Sequence, residues 1–515
     1  MPHLLPLDHP TPLFDLATTR RIERAAAANL PPHTLMRRAG LATARLALAI
    51  SPHARTVWIA CGPGNNGGDG LEAALHLAHW GLNPVVTLLG DAAQLPPDAA
   101  ASLVRARAAG VAFANAPPTP GAADLAIDAL LGIGATRAPS GRMADWLMRL
   151  RAGPAPLLAV DVPSGLDADT GTLHAPVTSS SIASGTDSAV ASGQFDSITM
   201  APARHTLTLL TCKPGLFMAH GRDACGTLWF DDLGIADLDA PDTPPAACVN
   251  APPPPAPRPH ASHKGSFGDV AVIGGETDDA RGSAMAGAAL LAASGALHGG
   301  AGRVYVGLLG ERGPAFDLTQ PELMFRRPDA LLLGALTLVC GCGGGDAVRG
   351  VLPAVLARAP RVVLDADALN AIAHDAALQA ALAARAARGQ VSVLTPHPLE
   401  AARLLASDVA RVQADRLATA RALAERYRCT VVLKGSGSIV AAPGQLPRIN
   451  ASGNARLATP GSGDVLAGLV GALLAAGQAP FDAACTAVHR HGAVADQWPA
   501  GSTLIASTLA RQLTA

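Results

Sequence analysis

Lysine is scarce in this sequence. Of its 39 basic residues, three are lysines (Lys213, Lys264 and Lys434) and the other 36 are arginines. A chain that uses arginine by default lends each lysine a raised prior of having a task. Excess charge is also missing. Acidic residues number 40, the net charge is -1 and the pI is about 7.0, so nothing suggests a basic nucleic-acid footprint. Paired cysteine motifs are absent. Cys61, Cys212, Cys225, Cys248, Cys340, Cys342, Cys429 and Cys485 are scattered, with no C-x-x-C and no His/Cys cluster at zinc-finger spacing. They read as reduced thiols of a cytoplasmic protein. Met1–Pro12 lacks a basic segment followed by an apolar one, so no signal peptide is expected. The most apolar stretches, 284–301 and 465–477, are rich in Gly and Ala and fall short of about 20 strongly apolar residues. They read as buried helices, and no membrane partner is expected. Glycine and proline, 53 and 42 residues, stay below the roughly 25–30% of low-complexity chains. At about 150 residues per domain, the 515 residues predict two to four domains.

The pattern along the chain is α/β. Residues 14–50 predict helices, with Leu35, Met36, Leu41, Leu46 and Leu48 on an apolar face. Val57–Cys61 is a short apolar run between Ser-Pro and Gly-Pro, hence a buried strand. A glycine-rich loop, a helix over Leu71–Trp80 and a strand at Val85–Leu89 follow. This is βαβ and predicts a parallel sheet. Further strands end at Asp128 and Asp161. Residues 174–200 are rich in Ser, Thr, Gly and Ala and read as a surface insertion, with a regulatory loop as the alternative. Residues 241–262, with prolines at 252–255, 257 and 259, predict an extended linker between a domain at 1–240 and one at 263–515. Strands at Asp269–Ile273, Arg303–Leu308, Leu336–Cys340, Val362–Asp365, Val391–Leu394 and Val431–Leu433 open a second α/β pattern.

In the first domain three strand ends carry chemistry, and ligands of open parallel sheets bind beyond such ends. Gly62-Pro-Gly-Asn65-Asn66-Gly67-Gly68-Asp69-Gly70 lets backbone amides approach an anion at a helix start. It lacks the G-x-G-x-x-G spacing of a standard dinucleotide site. Asp128, followed by Gly132 and Gly134, suits a general base or a cation ligand. Asp161-Val-Pro-Ser164-Gly165 is the third such loop. Each carboxylate alone could be a cap, but three loops at one sheet edge favour a site.

These motifs, GPGNNGGDG, DALLGIG and DVPSGLDADTG, together with Leu35-Met36-Arg-Arg-Ala39-Gly40, resemble the N-terminal half of the bifunctional NAD(P)H-hydrate repair enzymes. The resemblance implies a Rossmann-like three-layer αβα sandwich that interconverts the R and S forms of hydrated NADH and NADPH. It implies potassium on Asn66, Asp128 and Ser164. Substrate would lie against Asn65, Asn66, Gly67, Gly68 and Asp69, and against Gly132, Ile133, Gly134, Ala135, Thr136, Arg137 and Ala138. Asp161 would act in proton transfer. The oxygen donors suit a hard monovalent cation rather than zinc. The Ser-rich insertion departs from the family. Lys213 reads as structural or as lying at the sheet edge.

In the second domain Thr459-Pro-Gly-Ser-Gly463-Asp464 precedes a helical run, and glycine amides there form an anion hole. Gly-x-Gly-Asp before such a helix is a signal of the ribokinase-like fold. Lys434-Gly435-Ser436-Gly437-Ser438 follows a strand and suits nucleotide phosphates. Asp365, Asp367 and Asn370 could hold a metal or cap a helix. His397, between two prolines, is read as a substrate contact over a structural role. With His263-Lys264-Gly-Ser, Gly274-Gly275, Ala286–Ala289 and Pro321-Glu322, these motifs resemble the dehydratase half of the same family. The resemblance implies ADP-dependent removal of water from the S hydrate, giving NAD(P)H, AMP and phosphate, with magnesium on the nucleotide. Ala288, Gly343, His397 and Asp464 would touch the hydrate. Lys434–Ser438 and Gly463 would touch the nucleotide. Cys342, Leu399 and Pro460 depart from the family's usual Pro, Gly and small residue. Two rival readings remain: a ribokinase-like small-molecule kinase with an accessory nucleotide-binding domain, and a first domain that serves only as a scaffold. A homo-oligomer is left open.

Overall fold

The computed structural model of the chain describes residues 1–135, 137–177, 203–235, 242–254, 259–278, 283–310 and 316–513. Thr136 therefore lies outside the described residues, as do residues 178–200 of the expected insertion and 255–258 of the proline stretch. The chain forms two compact units, Met1–Pro6 with Pro12–Ala246 and Leu7–Thr11 with Ala247–Ala515.

The strands of the first unit are β1 (His3–Leu4), β2 (Thr56–Cys61), β3 (Asn83–Leu88), β4 (Ala112–Ala114), β5 (Leu125–Ala129), β6 (Leu157–Val160), β7 (Arg204–Leu209) and β8 (Thr227–Asp231). They lie side by side in the order β1-β8-β7-β6-β5-β2-β3-β4. All pairings are parallel except that of β1 with β8. The helices are α1 (Leu16–Ala28), α2 (Thr34–Ile50), α3 (Asn65–His79), α4 (Pro97–Ala108), α5 (Arg142–Ala152) and the short α6 (Gly221–Cys225). Side chains alternate across a strand. Val57, Ile59 and Cys61 of β2 therefore enter one core with Leu71, Ala74 and Leu77 of α3. Trp58 and Ala60 enter another with Trp146, Leu147 and Leu150 of α5. Helices cover both faces, which is the three-layer arrangement that the family resemblance implies.

One expectation is corrected here. The stretch Gly62–Gly70 is a loop only as far as Gly64, and α3 begins at Asn65. Its glycines serve close approach. A Cβ at Gly67 would stand 2.0 Å from the Gly62 carbonyl oxygen, and one at Gly68 would stand 2.9 Å from Ala99 of α4. Tertiary packing outweighs the low helix propensity of glycine.

The second unit contains β9 (Ala247–Asn250), β10 (Asp269–Gly274), β11 (Arg303–Leu308), β12 (Met324–Phe325), β13 (Thr337–Cys340), β14 (Arg361–Leu364), β15 (Val391–Leu394), β16 (Thr430–Leu433), β17 (Ile439–Ala441) and β18 (Arg448–Asn450). Their order is β12-β11-β10-β13-β14-β15-β16-β17-β18-β9. Its helices are α7 (Ala286–His298), α8 (Val348–Arg358), α9 (Ala366–Ala373), α10 (Ala376–Ala383), α11 (Pro398–Leu404), α12 (Val409–Ala414), α13 (Arg416–Tyr427), α14 (Ser462–Ala475), α15 (Pro480–Gln497) and α16 (Ala506–Arg511). The core joins Val270, Val272, Val304 and Val339 of the sheet to Ala292 and Ala296 of α7 and Leu469 and Leu473 of α14. The small residues let α7 and α14 come close: a Cβ at Gly468 would fall 1.9 Å from the Ala292 carbonyl oxygen.

The expected linker is also corrected. Ala247–Asn250 lies within 241–262, yet it forms β9, parallel to β18 and buried throughout. Asn250 Nδ2 donates to Asn450 Oδ1 at 3.1 Å and to the Cys485 carbonyl at 2.9 Å, so the strand is tied on both sides. The boundary falls at Ala246, not at 240.

Candidate active sites

The first unit holds a cavity of about 650 Å³ at the carboxyl ends of its central strands. Asn65, Asn66 and Asp69 of α3, the segment Gly132–Ala135 and Asp161 all line it. Glu23, Asp98 and Lys213 do so as well. Asp161 follows β6 with φ +67, a left-handed backbone that costs a non-glycine residue and recurs at functional sites. Lys213 is buried and donates to Asp161 Oδ1 through its Nζ. The same ammonium donates to Leu209 O at 2.8 Å and Thr208 Oγ1 at 3.1 Å. Burial, and then the Asp161 carboxylate, raise the carboxyls of both Asp69 and Glu23.

Asp128 and Ser164 are buried, and neither lines this cavity. Ser164 Oγ donates to Asp128 Oδ1 at 2.6 Å, and its backbone N–H donates to Oδ2 at 3.1 Å. Burial pushes the Asp128 carboxyl up, against the pull of these hydrogen bonds. The segment from Asp128 to Gly132 strings the three expected cation ligands together. Leu131 N donates to Ser164 Oγ, and Gly132 lies against Asn66. The Asn66 amide is buried, and neither its oxygen nor its nitrogen has a hydrogen-bond partner. An orphaned buried amide oxygen is costly. With the Asp128 carboxylate and the Ser164 hydroxyl, linked to it through the 128–132 segment, it makes up oxygen donors of the kind a hard monovalent cation takes.

Not every expected contact faces the cavity. Gly67 and Gly68 are buried in helix packing, and neither Arg137 nor Ala138 is among the lining. Sequence reasoning left Lys213 without a firm role and missed Glu23. The scarcity of lysine was the available signal for Lys213, while Glu23 stands in an ordinary helical stretch.

In the second unit Gly461 caps α14 with φ +86, and Asp464 lies in the first turn. Burial, then Asp365, push the Asp464 carboxyl up to about 7. Lys434 Nζ donates to Asp365 Oδ1 at 2.7 Å. Burial works against the ammonium, but Asp365 and Glu400 together raise it above its ordinary value. A Cβ at Gly463 would stand 3.2 Å from Lys434 Nζ, so the amine touches the α14 turn. His491 of α15 is buried and makes a hydrogen bond between Nε2 and the Ser462 carbonyl at 2.9 Å. Beneath the Lys434–Ser438 loop lies the buried Arg416. Its Nη2 donates to the carbonyls of Lys434, Gly437 and Leu433 at 3.3, 3.4 and 3.5 Å. Gly343 abuts Ala288, since a Cβ there would come within 2.9 Å of the alanine methyl.

His397 is drawn into a helix cap. Its Nδ1 accepts from Leu399 N and Glu400 N, and its Nε2 lies 3.1 Å from Glu400 Oε1. Asp365, Asp367 and Asn370 do not converge. They serve Lys434, the Gly345 amide and Arg403 respectively. Asp365 and Asp464 instead gather around the Cys342 thiol. Magnesium takes oxygen ligands and keeps much of its water, so these residues do not form a dedicated magnesium cage.

The two units and their strand-end sites define a nucleotide-handling α/β enzyme with two centres. The NAD(P)H-hydrate dehydratase family matches residues 270–515, and the family described as YjeF-related protein N-terminus matches residues 32–215. The bifunctional NAD(P)H-hydrate repair enzyme Nnr of Escherichia coli (strain K12) is 36% identical over 509 residues, covering 95% of this chain and 90% of that protein. An ADP-dependent (S)-NAD(P)H-hydrate dehydratase of Neisseria meningitidis serogroup B is 43% identical over 264 residues, covering 50% of this chain and 86% of that protein. A solved ADP/ATP-dependent NAD(P)H-hydrate dehydratase from Bacillus subtilis is 29% identical with a TM-score of 0.41, covering 49% of this chain and 90% of that one. The chain belongs to the bifunctional NAD(P)H-hydrate repair enzymes. Among the described residues no helix is long and apolar enough to cross a membrane.

Proposed function

We propose that the two units carry out successive steps of one repair. The first interconverts the R and S forms of hydrated NADH and NADPH. The second consumes the S form with ADP, releasing NAD(P)H, AMP and phosphate. The observation that carries this reading is an identity of 36% to a bifunctional enzyme over 95% of the chain, spanning both units.

In the first unit the amides at the start of α3 and in the Gly132–Ala135 segment would hold substrate phosphates. Asp161, fixed by Lys213, would move the proton at the hydrated ring. Asn66, Asp128 and Ser164 would hold potassium. The ion would supply fixed positive charge beside the buried Asp128 carboxylate. In the second unit Lys434, the glycines of its loop and the α14 start would hold the nucleotide. Ala288 and Gly343 would form the wall against the hydrate, and the half-exposed His397 would lie near its edge. Asp464 would take the proton of the substrate hydroxyl while its oxygen bonds to the β-phosphorus of ADP and AMP departs. The phosphate then leaves with the C–O electron pair. The proton lost from the neighbouring carbon leaves its electrons as the restored ring double bond.

The test uses separated R and S hydrates with ADP or ATP, following the absorbance of the reduced nicotinamide. Both hydrates should be repaired. Asp128→Ala should leave S-form repair intact and slow R-form repair, as should replacing potassium by tetramethylammonium in the epimerisation alone. No recovery of absorbance, with phosphate passed to a sugar or vitamin alcohol, would sink the reading in favour of a small-molecule kinase.

A further inference from the structure

Asp69 is an awkward companion for a phosphate. The amides beside it suit an anion, but its own carboxylate would repel one. Its side chain instead enters the cavity shared by Glu23, Asp98 and Asp161. The charged groups that act on it most are acidic: Asp161 beyond β6, Glu23 of α1, Glu72 of its own helix, which is paired with Arg105, and Asp98 of α4. Two fixed cations, Lys213 and Arg20, also line the cavity. Lys213 is on Asp161 and Arg20 acts on Glu23 of its own helix, while the His33 ring hydrogen-bonds Asp98. Among the described residues Asp69 has no ion pair. Burial first, and Asp161 next, hold its carboxyl well above the usual range. Asp161, by contrast, carries an ammonium on one oxygen. Two carboxyl groups in one cavity, one held by an ammonium and the other without an ion pair, are placed to serve as a base and an acid.

We propose that Asp69 is a catalytic acid of the epimerisation, working opposite Asp161 as base. This rests on reading the first unit as an epimerase. Asp69 gives its proton to the hydroxyl of the hydrated ring carbon. The C–O bond breaks, its electron pair leaves with water, and the lone pair of the ring nitrogen forms C=N. Water returns to the opposite face, its lone pair making the new C–O bond while the C=N pair goes back to nitrogen. Asp161 accepts the proton released. Exchange with solvent then returns a proton from Asp161 to Asp69, so nothing is consumed.

The experiment uses the full chain with the R hydrate and no ADP, which leaves the second unit idle. The R/S ratio is followed by chromatography against the spontaneous rate. Asp69→Asn should lower kcat about 100-fold, within the usual range for an acid or base. Its KM should stay within about threefold, and the alkaline limb of the pH profile should vanish. S-form dehydration with ADP should be unchanged, which reports folded protein. Asp69→Glu, which keeps an acid, should recover at least about a tenth of the rate. A kcat within about threefold of the parent, a raised KM at constant kcat, or a Glu variant no faster than the Asn variant would each overturn the proposal. A parent chain that leaves the R hydrate at its spontaneous rate would overturn the epimerase reading itself.

Discussion

Asp464, the proposed proton acceptor, lies where its charge is penalised: burial, and then Asp365, push its carboxyl up to about 7. A proton acceptor must be ionised, so turnover of the S hydrate with ADP should rise with pH through about 7 and level off above. The same shift carries a stability sign. The folded chain keeps a proton that the unfolded chain releases near pH 4. The contribution is therefore complete below that value and is lost as pH rises toward 7. Asp464→Asn should abolish dehydration yet raise stability at pH 8 by on the order of 2 kcal/mol, read from urea unfolding. An equal gain at pH 4 and pH 8 would contradict this. At the same scale, the sequence made some roles legible and hid others. Scarcity singled out Lys434, which lies on Asp365, while Lys264 is exposed in a capped turn. Lys213 stayed without a role because its partner Asp161 stands 52 residues earlier and meets it only through the sheet. The rivalry over His397 was physical. A histidine before Pro-Leu-Glu can cap a helix, and this one does.

Among elements, strands β2, β5 and β6 were readable because they are apolar runs punctuated near their carboxyl ends by Gly62, Asp128 and Asp161. The start of α3 was not, because a run of glycines reads as a loop until its neighbours are known. Gly67→Ala tests this account. Its methyl would meet the Gly62 carbonyl oxygen at 2.0 Å, a backbone atom that cannot move away cheaply. The variant should lose at least about 2 kcal/mol of stability, typical of overpacking. It should also slow R-form repair while S-form dehydration persists. Unchanged urea unfolding would mean that the helix start relaxes freely. The β9 strand escaped for the opposite reason. Its four residues are too few for a periodic signal, and prolines surround them.

For the whole molecule, β9 sets where the second unit begins. A fragment starting at His263 would bare the edge of β18 and leave buried Asn450 without the Asn250 amide. It should be less stable in urea than one starting at Ala247, by at least about 2 kcal/mol, and more prone to self-association through the open edge. Equal midpoints would place β9 outside the cooperative fold. The near-neutral net charge suits the proposed holding of anions by amides rather than by a basic surface. Arg416 shows how such amides are aimed. A planar trans peptide points its N–H opposite to its C=O. By drawing the carbonyls of Lys434 and Gly437 inward, the buried guanidinium turns the N–H groups of Gly435 and Ser438 outward. The polarity of the loop is therefore written from beneath, by a cation that never has to meet the anion it prepares for.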